Sequence, residues 1–321
     1  MHQLHFKSLN YTGQAAGPRL IVLGAVHGNE TCGSVAIGRV TAQLDSGALR
    51  ITAGSVTFVP VANPLAYARG ERIGQRNLNR NLFPNPHPQH FEDRVANWLC
   101  PLLAQHQVLL DLHSFEARGE PFVMLGPRNN SGTLEPFAHE IQERALARRL
   151  GVRRSVEGWL ATYGLGVQRR MSTRDAGAQE SVMRHGVGTT EYMRACGGYA
   201  LTLECGQHQD PATPAVAYRA ILNSLAFLGL TDAAAPHAVP DMEALSLAAV
   251  HDKVYAQDRF SRHWASFDGV RQGEEIGKRA DGTPVLAEFD GRILFPDSQA
   301  GAGSEWYYLA RATGMTGTLP A

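Results

Sequence analysis

The sequence lacks long apolar stretches, has few cysteines and does not begin like a secreted protein. No window reaches the ~18 consecutive apolar residues that a membrane-spanning helix needs, so we expect no membrane partner. The opening residues, MHQLHFKSLNYTG, contain no apolar core of a secretory signal. The four cysteines form no CxxC pair, which argues against a structural zinc knuckle and fits a reducing compartment. We therefore expect a cytoplasmic protein.

The chain also has no excess of charge of either sign. Its 30 lysines and arginines balance 30 aspartates and glutamates. Without a net positive field there is little to attract a polyanion, so no nucleic-acid partner is expected. The 321 residues, 44% of them apolar, suffice for a large core and for two domains.

Continuous apolar runs alternate with helical spacings along the first two thirds of the chain. The runs, which predict buried strands, lie at 19–26, 55–62, 107–112 and 200–204. Helical spacing predicts helices at 31–44, 91–105, 135–150 and 213–228. This alternation predicts an α/β fold with a mixed, largely parallel sheet flanked by helices.

The pattern changes after Thr231–Pro240, a stretch rich in alanine and proline that we interpret as a linker. Beyond it, short strand-like runs are separated by Asp-Gly turns, which is typical of all-β structure. We expect a first domain over residues 1–235 and a smaller all-β domain over residues 241–321. The all-β domain could be a substrate gate, a packing module or an oligomerisation module, and the sequence leaves these roles open. A homo-oligomeric protein is one possibility.

Polar residues follow two of the predicted buried strands. HGNE supplies His27 and Glu30 after the first strand, and DLHS supplies His113 after the third. Two imidazoles and one carboxylate form the ligand set of a catalytic zinc site with one open position. Gly28 would permit a tight turn between the first two ligands. Asp111 points the same way as His113 in a strand and could fix the tautomer of that imidazole.

In combination, these motifs resemble the succinylglutamate desuccinylase/aspartoacylase family, a branch of the zinc carboxypeptidase-like fold. The matching stretches are HGNE at 27–30, NPLAYARGERIGQRNLNR at 63–80, DLHS at 111–114 and TLECG at 202–206. The resemblance spans nearly the whole chain, including the β-rich tail. It implies one Zn²⁺ per chain, bound by His27, Glu30 and His113 in the first domain.

The resemblance also implies the catalytic residues. Glu204, which ends a buried strand, matches the family's general acid/base. Such a carboxylate would take a proton from a zinc-activated water and pass it to the leaving amine. Arg72 matches the arginine that helps to polarise the scissile carbonyl.

Further residues correspond to those that bind the substrate in the family. Asn79 and Arg80 match the pair that holds the substrate's α-carboxylate, although Asn77 replaces the first aspartate of that motif. Arg194 lies ten residues before Glu204, the spacing of an arginine that binds the substrate's side-chain carboxylate. Arg76 is expected at the surface.

These assignments predict a zinc-dependent amidohydrolase that acts on linear amides. Several arginines can recognise carboxylates through paired hydrogen bonds, which favours a small, acidic, N-acylated substrate such as an N-acyl amino acid. One alternative is a metallocarboxypeptidase that acts on peptides, and another is a non-catalytic metal-binding or small-molecule-binding module. No motif identifies the acyl group or the amine.

Overall fold

The computed structural model describes residues 4–171 and 184–313. The strands are β1 (Leu9–Thr12), β2 (Ala15–Leu23), β3 (Ala53–Val59), β4 (Val108–Phe115), β5 (Phe122–Met124), β6 (Arg154–Glu157), β7 (Tyr199–Gln207), β8 (Glu243–Asp252), β9 (Arg259–Phe260), β10 (Gly269–Val270), β11 (Glu275–Lys278), β12 (Pro284–Leu286), β13 (Gly291–Leu294) and β14 (Glu305–Ala312). The helices are α1 (Cys32–Asp45), α2 (Pro64–Arg69), α3 (Phe91–Ala104), α4 (Glu140–Ala147), α5 (Trp159–Met171), α6 (Thr189–Ala195) and α7 (Thr213–Phe227). Within the described ranges, no helix is both long and apolar enough to cross a bilayer.

One large sheet organises the molecule. Its strand order is β1-β3-β2-β4-β7-β5-β6-β8-β14-β13-β10, and a separate antiparallel sheet has the order β12-β11-β9. The centre is parallel, because β2 pairs in parallel with β3 and β4, and β4 pairs in parallel with β7. Antiparallel pairs occur on both sides of this centre. This mixed sheet confirms the predicted α/β class.

Helices cover both faces of the parallel centre, which explains the continuous apolar runs of its strands. Along β2, Leu20 and Val22 pack in one core with residues of α1 and α7. The alternate residues Ile21 and Leu23 pack in a second core with residues of α3 and α6. All four side chains are fully buried. A strand buried on both faces cannot alternate between apolar and polar residues.

The register of the parallel strands gathers polar residues at one edge of the sheet. Leu23, the last residue of β2, pairs with Asp111 of β4. Further along β4, His113 pairs with Glu204 of β7. The carboxyl ends of β2, β4 and β7 therefore meet at the same place, where open α/β sheets bind their ligands.

The C-terminal part continues the large sheet. β8 pairs in parallel with β6 and antiparallel with β14, so the sheet extends across the expected linker. Phe122 and Leu247, from opposite sides of that linker, belong to one buried cluster. The described residues after 241 contain strands and turns but no helix. The division into domains 1–235 and 241–321 stays a prediction.

Candidate metal centre

The turn that follows β2 places His27 and Glu30. Within this segment, Ala25 has a left-handed backbone with φ of 47°. Gly28 then lies directly against α2, where an added Cβ would stand 2.0 Å from the carbonyl carbon of Ala66. Gly28 is expected to permit a tight turn. In the structure, the absence of a Cβ also allows the backbone of this turn to contact the backbone of α2.

His27, Glu30 and His113 come together as predicted. Nδ1 of His27 lies 2.8 Å from Oε1 of Glu30, and Nδ1 of His113 lies 2.8 Å from Oε2. One potential ligand atom from each residue falls within 4.8 Å of the other two. The three residues are only 2%, 1% and 2% exposed, respectively. Their arrangement makes them a group that could hold a metal ion.

The outer nitrogen of each imidazole lies close to an oxygen atom of a neighbouring side chain. Nε2 of His27 lies 3.1 Å from Oδ1 of Asn77, and Nε2 of His113 lies 2.9 Å from Oδ2 of Asp111. Partners of this kind orient a ligating imidazole and fix its tautomer. Although Nδ1 of His27 lies 2.8 Å from Oε1 of Glu30, it forms no hydrogen bond within the described residues, and a bound cation would satisfy both atoms. The nitrogen and oxygen donors fit zinc.

Burial and neighbouring charges set the protonation states of the three residues. Burial lowers the pKa of His27 to about 4, and Arg72 acts in the same direction, so this imidazole is neutral and keeps a free lone pair. Burial opposes ionisation of Glu30, but both imidazoles and Arg72 hold the pKa of its carboxyl well below the usual value. Burial also opposes a charge on His113, yet Asp111 and Glu30 raise its pKa well above the usual range.

Glu204 lies beside the cluster without joining it. Its Cα pairs with that of His113 in the neighbouring strand, and it is a buried residue. Within the described part of the chain, Oε2 of Glu204 has no hydrogen-bond partner. Burial raises the pKa of this carboxyl to about 8, with Glu30 acting in the same direction and His113 opposing it. A cation bound at the cluster would lower the pKa of Glu204 again. A carboxyl whose pKa lies near the working pH can both accept and donate a proton, as an acid/base residue must.

Arg72 reaches the cluster from the loop that follows α2. Its Nη1 lies 2.5 Å from Oε1 of Glu30, while half of its side chain is exposed. Its carbonyl oxygen accepts a hydrogen bond from the backbone N–H of Gly28. Arg72 therefore lies between the buried His–Glu–His group and the solvent.

A buried carboxylate that the sequence analysis missed supports this loop. Glu92, in the first turn of α3, accepts hydrogen bonds from the backbone N–H groups of Gln75 and Arg76. An added Cβ at Gly74 would stand 2.2 Å from Oε1 of Glu92. In the sequence, the only sign of this role is the pair Glu92 and Asp93 at the start of the predicted helix. Acidic residues are common at that position because they interact favourably with the helix dipole.

The expectation that Arg76 lies at the surface is wrong. Its Nε donates to Asp93 at 2.8 Å, and its Nη1 donates to the backbone oxygens of Asn77 and Arg80 at 3.0 and 2.8 Å. The side chain is mostly buried. Arg76 thus ties together both ends of the NLNR segment.

Asn79 and Arg80 lie on this same segment. Oδ1 of Asn79 accepts a hydrogen bond of 2.9 Å from the backbone N–H of Thr189. The guanidinium carbon of Arg80 lies 4.8 Å from the ring centroid of Trp159, and its Nη1 donates to the backbone oxygen of Asn79 at 2.8 Å. The side-chain oxygen of Asn79 is therefore already hydrogen-bonded within the protein. The guanidinium of Arg80, in contrast, is held in place by the aromatic ring of Trp159.

Arg194 is not brought to the cluster. It is 3% exposed, and its donors bond to Glu143 at 2.8 Å, Glu135 at 2.7 Å and the backbone oxygen of Ala200. Ala200 lies four residues before Glu204 on β7, about 13 Å away along an extended strand. These contacts do not support the expectation that Arg194 binds substrate, because its hydrogen bonds are made inside the protein and far from the carboxyl edge.

Fold and site together define a class, that of α/β proteins with a buried His–Glu–His group at the carboxyl edge of a mixed sheet. Residues 16–141 match the family model of the succinylglutamate desuccinylase/aspartoacylase catalytic domain. The resemblance noted in the sequence is thereby confirmed, and the match supports a deacylase of that type. No relative was found among curated proteins.

Solved structures share the fold over nearly the whole chain. A succinylglutamate desuccinylase/aspartoacylase from Rhodobacter sphaeroides has a TM-score of 0.73 and 18% identity, covering 96% of this chain and 89% of its own. The ectoine utilization protein EutE (DoeB) from Ruegeria pomeroyi, in a product-bound structure, has a TM-score of 0.68 and 19% identity, covering 94% and 87%. Succinylglutamate desuccinylase from Vibrio cholerae has a TM-score of 0.68 and 18% identity, covering 95% and 85%. At these identities the likeness establishes the fold alone.

Proposed function

We propose that this chain is a zinc-dependent hydrolase that cleaves the amide bond of a small, acidic N-acyl amino acid in the cytoplasm. The observation that carries the proposal is the buried group of His27, Glu30 and His113. Its three potential ligand atoms lie within 4.8 Å of one another at the carboxyl edge of the sheet. The family match over residues 16–141 supports the same reaction class.

Zinc would be held by the two imidazoles and the Glu30 carboxylate. Both Nδ1 atoms face Glu30, while both Nε2 atoms face other partners, so each ring already has the orientation of a ligand. When bound in such a site, zinc supplies a Lewis acid that polarises a carbonyl group and lowers the pKa of water.

Glu204 would move the proton that amide hydrolysis requires. Burial raises the pKa of this carboxyl to about 8 and a bound cation would lower it again, so the group can both accept a proton and donate it to the departing amine near neutral pH. Arg72 would donate a hydrogen bond to the carbonyl oxygen as negative charge develops there, which is possible because half of its side chain faces solvent.

Arg80 and Asn79 would bind the carboxylate of the substrate. The ring of Trp159 fixes the plane of the Arg80 guanidinium, and a preorganised guanidinium loses little entropy when it forms paired hydrogen bonds. With Arg72 nearby, this edge of the sheet favours an acidic substrate over a neutral one.

Metal content is the first test. Purified protein should contain about one zinc per chain by elemental analysis, and His113→Ala should lose most of it. His87→Ala removes an exposed imidazole and is the matched control, so it should keep its zinc. Zinc retention by His113→Ala would contradict the proposed site.

Activity on a defined panel is the second test. N-acyl amino acids with acidic side chains should be hydrolysed, a chelator should abolish the activity, and added zinc should restore it. Cleavage of peptides in preference to N-acyl amino acids would instead identify a metallocarboxypeptidase. Zinc binding without hydrolysis of either substrate class would identify a non-catalytic metal-binding module.

A further inference from the structure

Thr189, the first residue of α6, lies behind one of the metal-site imidazoles. Its hydroxyl donates a hydrogen bond to Oδ2 of Asp111, and the same oxygen lies 2.9 Å from Nε2 of His113. All three residues are buried, with Thr189 only 1% exposed. A chain of contacts thus runs from α6 through the Asp111 carboxylate to the imidazole.

The hydroxyl of Thr189 matters because it bonds to the oxygen of the Asp111 carboxylate that faces His113. Among the described residues, Oδ1 of Asp111 has no hydrogen-bond partner although it is buried. The orientation of the carboxyl group therefore depends on what holds Oδ2. The hydroxyl of Thr189 donates to Oδ2, which also lies 2.9 Å from Nε2 of His113, so it helps to keep the carboxylate aligned with the imidazole.

Thr189 also contacts the segment that would bind the substrate, through a different group. Its backbone N–H donates to Oδ1 of Asn79 at 2.9 Å. The preceding Gly188 permits this approach, since a Cβ there would stand 2.1 Å from the same oxygen. The side chain of Thr189 therefore supports His113 through Asp111, while its backbone N–H bonds to Asn79.

We propose that Thr189 is a positioning residue that acts through Asp111 to hold His113 in its ligating orientation. The inference rests on the proposed function, because it assigns His113 to a metal. It goes beyond that function because it assigns a role to Thr189 at the start of α6. This residue supports His113 through Asp111, and its backbone also bonds to Asn79 of the NLNR segment.

Thr189→Val tests the inference, because valine keeps the shape of threonine and the backbone N–H but removes the hydroxyl. Zinc affinity is measured by competition with a chromogenic chelator. We expect it to fall about 10- to 100-fold, the usual effect of losing an outer partner of a ligand. KM should change much less than zinc affinity, because the bond to Asn79 comes from the backbone. Thr189→Ser restores a hydroxyl and should recover most of the affinity.

Thr190→Val is the matched control. Thr190 is also buried in the first turn of α6, but its hydroxyl donates to Glu191 rather than to Asp111. Its zinc affinity should match that of the wild type. Equal losses in Thr190→Val and Thr189→Val would overturn the inference, because they would indicate a general effect on the helix.

A double-variant cycle covers the case in which Thr189→Val is simply unstable. If Thr189 acts through Asp111, Thr189→Val should add little to the loss of zinc affinity already caused by Asp111→Asn. Additive losses overturn the inference, as does a wild type without measurable zinc affinity. A wild type that binds zinc but hydrolyses no N-acyl amino acid overturns only the proposed enzyme activity.

Discussion

Replacement of Arg194 by methionine should destabilise the protein without weakening substrate binding. The guanidinium is the cation of a buried cluster with three acidic groups, since Glu143, Glu135 and Glu191 all lie within 4.0 Å of it. Removal of one partner from a buried ion pair typically costs about 3–5 kcal/mol, because uncompensated charge stays behind. Against a total stability of about 5–15 kcal/mol, such a loss is severe.

Urea unfolding measures this cost, and substrate kinetics separate the two roles. The unfolding free energy of Arg194→Met should fall by about 3–5 kcal/mol, while KM per folded molecule should stay near that of the wild type. Arg69→Met is the control, because the contacts of Arg69 are exposed: an ion pair with Glu71, worth at most about 1 kcal/mol, and a hydrogen bond to the backbone oxygen of Gly74.

A compensating variant sharpens the test. Glu143→Gln removes one of the carboxylates that Arg194 neutralises, so it should recover part of the stability lost in Arg194→Met. An Arg194→Met protein that unfolds at the wild-type urea concentration, but has a KM raised tenfold or more, would refute the reasoning. That result would place Arg194 in the substrate site after all.

Three further predictions concern the backbone, the acid/base residue and the dependence of stability on pH. Gly28→Ala should lose zinc, because its Cβ would stand 2.0 Å from Ala66, whereas Gly38→Ala, on an open helix face, should keep it; equal zinc contents would contradict this. Glu204→Gln should retain zinc but lose about 10²- to 10⁴-fold in kcat, so near-normal turnover would exclude its assigned role. Burial raises the pKa of Glu135 from 4.5 to about 7, and this raised value contributes stability that is present below pH 4.5 and is lost as pH rises through 7. Glu135→Gln should therefore flatten the fall in unfolding free energy between pH 5 and 8, and unchanged slopes would show that Glu135 does not titrate in this way.

Much of the fold was predictable because burial leaves a direct mark on the sequence. Strands covered by helices on both faces must be continuously apolar, and the predicted strand at 107–112 matches β4 at Val108–Phe115 closely. The long helix α7 at Thr213–Phe227 was also predicted, whereas the 13-residue helix α5 at Trp159–Met171 was not. The helix α6, only seven residues long, was missed, since so short a segment contains too few turns to show a periodicity.

The outer contacts of the site were not predictable. Arg194 pairs with residues 51 and 59 positions away, and Asp111 bonds to a hydroxyl 78 positions away. Neither spacing carries a local signal, because these groups meet only after the strands have paired. The offset of ten residues between Arg194 and Glu204 suggested a substrate contact, whereas the packing of α6 against β7 directs the guanidinium into the protein.

The sequence by itself determined which residue types would form the His–Glu–His group and the edge of the sheet where they would meet. Parallel strands end at a common edge, so polar residues placed after apolar runs converge whatever the details of packing. Only the tertiary structure decided which imidazole nitrogen faces Glu30, which carboxylate supports His113 and which arginine is already satisfied. These pairings join residues far apart in the chain. A hydrogen bond needs its two heavy atoms within about 3 Å of each other, and only the packed structure fixes such distances.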